Sequence, residues 1–418
     1  MNNFNSKVML ICIVSIFISG CTSFGRGITE AIIDKQEALD ARVCDIWGEG
    51  FDGLNPHLKK QKGKMKVLMV HGVGDHKPGY STEFFEKLAK ALELSVTSRK
   101  HKNIRLSDEN NPQKTLGNLR INRFLSKDRA KELLFYELTW SDITAKEKEV
   151  LAYDSSGEYS FRRTEVNDLM KRFANDTGPD PIIYLGESRA DILLSFTQSF
   201  CWMAYGNWND LPTDTKRFCK TPNILSINND QYAFVSHSLG SRIVIDGMQS
   251  IATMLGNKSG SNVKIKIAIS EALKHKEIPI YMMSNQLPML QLGRKPPEVS
   301  NQKKAYCDAK GEQYYQRMLT KTPIIAFSDP NDLLSYAIPP GFVEKYIDSR
   351  LCVDVTNINI NVAHVYDIFG LGEVANPMDA HIGYDTDDRI VALIANGIGN
   401  GTTAKIVRDR CRWIETID

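Results

Sequence analysis

An α/β fold built on a mostly parallel sheet is what this sequence predicts, and three observations carry the prediction. Strand-like apolar runs alternate with helical patterns along the chain, as they do where helices form the crossovers between parallel strands. One junction is especially sharp: Tyr232-Ala233-Phe234-Val235, then Ser236-His237-Ser238-Leu239-Gly240, then Arg242-Ile243-Val244-Ile245-Asp246-Gly247-Met248. It reads as strand, tight turn, helix. Finally, the linker-like stretches lie inside the alternation, so the chain reads as one domain with helices on both faces of the sheet and insertions, rather than two separate units.

The N-terminus stands apart from that pattern. Lys7 precedes the apolar run Val8 to Ile18, and Ser19-Gly20-Cys21 follows. The run is too short for a transmembrane helix but has the length and flanks of a secretory h-region. Ile-Ser-Gly-Cys resembles the lipobox of bacterial lipoproteins. That resemblance implies a signal peptide over residues 1–20, cleavage before Cys21, acylation of Cys21 and export to the cell envelope. Thr22 after the Cys implies sorting to the outer membrane, with the membrane face left open. Residues 21–60 are expected to form a tether and an N-terminal helix over 27–45, with Ile28, Ala31, Ile32 and Leu39 inward.

Residues 61–418 hold the alternating elements. Lys64 to Val70 is a buried strand, followed by His71-Gly72-Val73-Gly74-Asp75. A helix from Ser81 to about Leu94 places Phe84, Phe85, Leu88, Ala91 and Leu92 on one face. Leu133 to Leu138 is another strand, and an insertion near 141–230 separates it from the strand before Ser238. Within the insertion, Ile192-Leu193-Leu194-Ser195-Phe196 and its continuation through Phe200, Trp202, Met203 and Trp208 read as a core helix, with a lid or lipid-facing helix as the alternative. Three more strands are expected at Pro279–Met283, Pro323–Phe327 and near Cys352 to Ile360. A surface loop with a short helix spans about 286–320, and a last helix covers about Asp387 to Ile398.

Composition narrows the partners. The net charge is +2 and no Lys/Arg block is interleaved with aromatics, so nucleic-acid binding has no support. Six cysteines follow Cys21, a number compatible with disulfides in an oxidising compartment; Cys201 and Cys219 are close enough to staple a local loop, and the remaining pairing is not assigned. No Cys-x-x-Cys or His/Cys cluster suggests a metal, and no cofactor is expected.

Ser238 is a candidate nucleophile because a strand-to-helix elbow lifts a serine out of the sheet and turns the next N–H toward the same pocket. The positions two before and two after it must be small. Gly240 satisfies this, while Ser236 stands where the G-x-S-x-G pattern has its first glycine. A serine hydroxyl needs a base and a group that orients the base. Ser328-Asp329-Pro330-Asn331-Asp332 follows a strand, and a carboxylate there faces the crevice at the C-terminal edge of a parallel sheet; Asp332 is the first choice and Asp329 the second. His381, in Met378-Asp379-Ala380-His381-Ile382-Gly383-Tyr384, is placed in a loop between the last strand and the last helix and is the candidate base. His364 lies among apolar residues and reads as a strand or edge histidine. Oxyanion donors are expected at the N–H of Leu239 and of Val73, where Gly72 and Gly74 allow close approach. His71 and His237 belong to the same motifs, and His76 reads as a solvated loop histidine, with a place at the mouth of the site as the alternative.

Together, Val-Leu-Met-Val-His-Gly-Val-Gly, Ser-His-Ser-Leu-Gly, Asp-Pro-Asn-Asp-Leu-Leu-Ser-Tyr and Ala-His-Ile-Gly-Tyr resemble the successive landmarks of bacterial α/β-hydrolases of the esterase/lipase group. They span residues 67 to 384. The resemblance implies the α/β-hydrolase fold and serine hydrolase chemistry: Ser238 attacks an ester carbonyl, His381 takes and returns the proton, and Asp332 holds the imidazole. The expected substrates are carboxylic esters, lipid acyl esters being suggested by the anchor alone, and the expected partner is the membrane. The competing reading is an inactive hydrolase-fold lipoprotein that binds a ligand or serves envelope assembly.

Overall fold

The computed structural model describes residues 42–59, 64–96, 100–155, 163–257, 259, 262–367, 373–399 and 401–414. The expected signal peptide, Cys21 and most of the expected helix over 27–45 lie outside these residues. The end of that expected helix differs: Cys44–Trp47 is a strand, paired antiparallel with Val353–Ile360. The main sheet therefore recruits chain from before residue 61.

Six parallel strands form the centre of a twelve-stranded sheet, in the order Val353–Ile360, Thr322–Ser328, Ile280–Met283, Gln231–His237, Lys64–Val70 and Glu132–Thr139. Thr322–Ser328, Ile280–Met283 and Glu132–Thr139 are buried along their whole length, as strands covered on both faces must be. That is why they appear in the sequence as continuous apolar runs. Beyond Glu132–Thr139 the sheet turns antiparallel through Thr115–Leu125 and Lys102–Ser107, and ends on Thr215–Arg217. Cys411–Trp413 closes the opposite edge beside Cys44–Trp47.

Each face carries its own core. On one side lie the helix Gly240–Gly256 and the helix Arg189–Met203, which pack against each other and bury Ile243, Met248, Ile192, Phe196 and Met203. The apolar run near Phe196 is thus a core helix, not a lid. Burying each such large apolar side chain contributes about 1.5–3 kcal/mol. On the other side Thr82–Ala91 packs on Asp388–Asn396, with Phe84, Phe85, Leu88, Ile390 and Leu393 inward. Among the described residues three disulfides add local staples: Cys44–Cys411 ties the two neighbouring edge strands, Cys201–Cys219 ties the helix Arg189–Met203 to the loop after it, and Cys307–Cys352 ties a short helix to the start of Val353–Ile360. The strand Gln231–His237 lies in the interior of the parallel set, so its C-terminal end opens onto the sheet edge where open α/β folds bind ligands.

Candidate active site

The chain leaves Gln231–His237 and enters Gly240–Gly256 with only Ser238 and Leu239 between them. Such a short passage forces Ser238 into the left-handed region at φ 54°. For a residue with a side chain that conformation costs about 1–3 kcal/mol and persists only where its surroundings impose it. Here the Ser238 N–H donates to Met283 O at 3.0 Å, pinning the turn to the neighbouring strand. The glycine two residues on is required: a Cβ on Gly240 would sit 2.3 Å from Val70 O. Ser236 meets no such obstacle. It is fully buried, and its hydroxyl donates to Tyr281 O at 3.4 Å. The departure from the glycine pattern is thereby absorbed by a polar contact.

His381 and the two candidate acids separate cleanly. His381 lies on a short helix, Pro377–Ile382, rather than in a loop; Asn376 caps it by accepting the Met378 N–H, and Pro377 occupies the first turn. Its Nδ1 is 2.9 Å from Asp332 Oδ1 and 3.0 Å from Ser284 Oγ. Asp329, three residues earlier, points elsewhere. Its Oδ2 accepts the N–H groups of Val362 and Ala363 at 2.7 and 3.1 Å, and its Oδ1 accepts from Asn331. Asp329 therefore holds a turn while Asp332 holds the imidazole.

Asp332 is saturated with donors. Besides His381, its Oδ1 accepts the Leu334 N–H at 3.0 Å, and its Oδ2 accepts the hydroxyls of Ser284 at 2.6 Å and Tyr384 at 3.2 Å. Burial alone would push this carboxyl up. The hydrogen bond and charge of His381, with Ser284 and Leu334, outweigh it and hold Asp332 below the usual carboxylate range. An ionised Asp332 keeps the His381 proton on Nδ1, which leaves Nε2 with a free lone pair.

His237 supports the same histidine from the other side. Its Nε2–H donates to His381 O at 2.8 Å, and the rings lie 5.1 Å apart. Burial, then the neighbouring His381, pushes the His237 imidazole down to about 3, so it stays neutral and acts as a fixed donor.

The loop after Lys64–Val70 closes over the serine. A Cβ on Gly72 would lie 2.5 Å from Ser238 Cβ, so only glycine fits there. His71 is buried and structural: Nδ1–H donates to Gly72 O at 2.8 Å, Nε2 accepts the Trp140 N–H at 3.1 Å, and the two rings stack. Burial, then His76, holds its pKa well below the histidine range. His76 is not solvated as the sequence suggests; it stacks on His71 with ring centres 4.2 Å apart. The insertion grips this loop. Asp180 accepts the Gly74 N–H at 2.6 Å, Asp176 accepts the Asp75 N–H at 3.2 Å, and Lys148 bridges both carboxylates. The Val73 N–H, one residue before these two, is not taken by this pair. Ser238 itself is fully buried, and its Oγ has no hydrogen-bond partner.

Sequence reasoning missed Ser284, Tyr384, Asp176 and Asp180. Ser284 has a local signal only in retrospect, since it follows the short strand Ile280–Met283 and takes φ 49°. The two insertion carboxylates carry no motif at all. Among the described residues no cluster of His, Cys, Asp and Glu could hold a metal ion. No family model matches this chain, and neither the curated proteins nor the solved structures include a match.

Proposed function

We propose that this protein is a serine hydrolase of the α/β-hydrolase type that cleaves carboxylic esters through an acyl-enzyme. One observation supports the reading above all others: an ionised Asp332 bound to His381 Nδ1 at 2.9 Å, with His381 held by the residue that precedes a left-handed Ser238 whose Oγ is unbonded.

In the proposed reaction, Ser238 Oγ attacks the ester carbonyl carbon as its proton passes to His381 Nε2. The imidazolium is stabilised by Asp332 through Nδ1–H. The developing oxyanion is met by the N–H of Leu239, at the start of the Gly240–Gly256 helix where the dipole favours negative charge, and by the N–H of Val73. His381 then returns the proton to the alkoxide leaving group, and the C–O bond of the ester breaks. Water, deprotonated by the same nitrogen, attacks the acyl-Ser238 ester and regenerates the hydroxyl.

With Ser238 buried, substrate entry requires the Gly72–Asp75 loop, or the insertion residues that hold it, to move. The exposed apolar side chains Val150, Ile182 and Leu185 on the insertion suit lipid acyl esters, as would an acylated Cys21 anchoring the chain to the envelope. The inactive reading draws on the missing Ser238 hydrogen bond, although such bonds are often absent until substrate is bound.

The test is hydrolysis of short- and long-chain esters by the wild type and by Ser238→Ala. The proposal expects turnover that falls by about 10³-fold or more in the variant. Activity retained in Ser238→Ala would remove the nucleophile, and no hydrolysis by the wild type would favour the binding reading. Incorporation of labelled fatty acid, lost in Cys21→Ser, tests the anchor.

A further inference from the structure

The antiparallel extension of the sheet builds a cavity that the ester chemistry does not use. It has a volume of about 540 Å³ and is lined by the loop Pro78-Gly79, Thr82, His101, Asn103, Arg105, Asn118, Arg120 and Asp214. Its floor follows from strand register. Arg120 pairs with Asn103, and Asn118 with Arg105, so these four side chains emerge on the same face of adjacent strands. Leu119, Ile121, Ile104 and Leu106 alternate with them and are buried on the other face.

The cavity is far from the serine. Between Gln231–His237 and Thr115–Leu125 stand Lys64–Val70 and Glu132–Thr139. At the usual strand spacing the floor therefore lies about 14–19 Å to the side of the elbow strand. A small molecule seated there cannot also touch Ser238.

Its chemistry is that of a site without its ligand's partners. Arg120 donates to Thr82 Oγ1 at 3.1 Å and lies over the Phe85 ring, while its buried Nε has no acceptor. Among the described residues neither Arg120 nor Arg105 is ion-paired. The side-chain oxygens of Asn103 and Asn118 are buried without donors in the same wall. Each orphaned buried polar group costs about 1–3 kcal/mol, and here three cluster at one cavity. Asp214 is held above the floor by its own N–H, which donates to Asn103 O at 2.7 Å, and takes φ 52°. Two unpaired guanidiniums call for an oxyanion; a carboxylate and two amide oxygens call for hydroxyl donors. No Leu, Ile, Val, Met or Phe side chain lines it, which argues against an acyl chain, and the volume suits a ligand of monosaccharide or disaccharide size.

We infer that this cavity binds a small polyhydroxylated anion, with its phosphate or carboxylate between Arg105 and Arg120 and its hydroxyls against Asp214, Asn103 and Asn118. Phosphate esters and uronates share this chemistry. Isothermal titration of the purified chain with glucose 6-phosphate, glucuronate and glucose distinguishes them. The expected result is one-site binding of one or both anions, with neutral glucose about tenfold weaker or worse. Arg105→Glu, at an exposed position that leaves the core intact, should weaken anion binding about tenfold or more without changing ester turnover. Arg120→Gln should do the same, with its thermal melt checking that the fold survives. Binding of the phosphate ester alone or of the uronate alone identifies the source of the anion. Equal binding of glucose and the anions overturns the inference, as does anion binding unchanged in Arg105→Glu, or no heat from any of the three at about 20 mM.

Discussion

The two halves of the candidate site are built differently. On the acid–base side, Asp332 accepts from His381, Ser284, Leu334 and Tyr384, and His237 clamps the histidine backbone. Every member has a partner, and all are anchored to the parallel strands or to the short helix beside them. On the nucleophile side Ser238 Oγ has no partner, and the loop over it is held by Asp176, Asp180 and Lys148 of the insertion. One half is preorganised by the sheet, and the other depends on the insertion. The proton relay should therefore be insensitive to changes in the insertion, whereas the oxyanion loop should not.

The largest effect that can break this comparison is at the acid. Asp332→Asn should lower kcat by roughly 10³–10⁴-fold, because the amide no longer stabilises the imidazolium or fixes its tautomer. Asp329→Ala should leave kcat within a few-fold. It orphans the amides of Val362 and Ala363 and should cost about 1–3 kcal/mol in urea unfolding. The opposite pattern would exchange the two roles.

Next come two variants of moderate effect that separate the halves. Ser284→Ala removes a hydroxyl from both Asp332 and His381, and should lower kcat about tenfold while moving the acidic limb of the rate–pH profile. Asp180→Ala frees the Gly74 N–H and should also cost about tenfold, with the profile unmoved because the relay is untouched. If Asp180→Ala shifts the profile as Ser284→Ala does, the halves are not independent.

A separate effect is on stability. His71 is buried and His237 half-buried; both are held neutral in the fold chiefly by the loss of solvent around the ring, and unfolding exposes imidazoles that protonate near 6.5. The unfolded chain thus binds more protons as pH falls below 6.5. Stability should be full above that value and decline below it, by up to about 1.4 kcal/mol per pH unit for each histidine. For His237 the loss runs down to its folded value of about 3. Urea midpoints at pH 7.5 and 5 check this, and a flat profile would mean the histidines titrate in place.

What the sequence disclosed follows the same physical divide. Strands buried on both faces are continuous apolar runs, so Lys64–Val70, Gln231–His237 and Thr322–Ser328 were legible, as were Ser238, Asp332 and His381 at or after their ends. The hairpin Lys102–Ser107 and Thr115–Leu125 was not anticipated. Its cavity-facing positions are Asn103, Arg105, Asn118 and Arg120, so its apolar signal is halved into alternation and masked by charge. Ser284, Tyr384, Asp176 and Asp180 act through contacts 28 to 106 residues away in the chain, which no local spacing can encode.

The most direct measurement is intact-mass analysis of the protein after incubation with a fluorophosphonate. The account predicts one adduct, mapped to Ser238, formed slowly because the hydroxyl is buried and absent from both Ser238→Ala and unfolded protein. No adduct on the native wild type, or an adduct on any other residue, would contradict a nucleophilic Ser238.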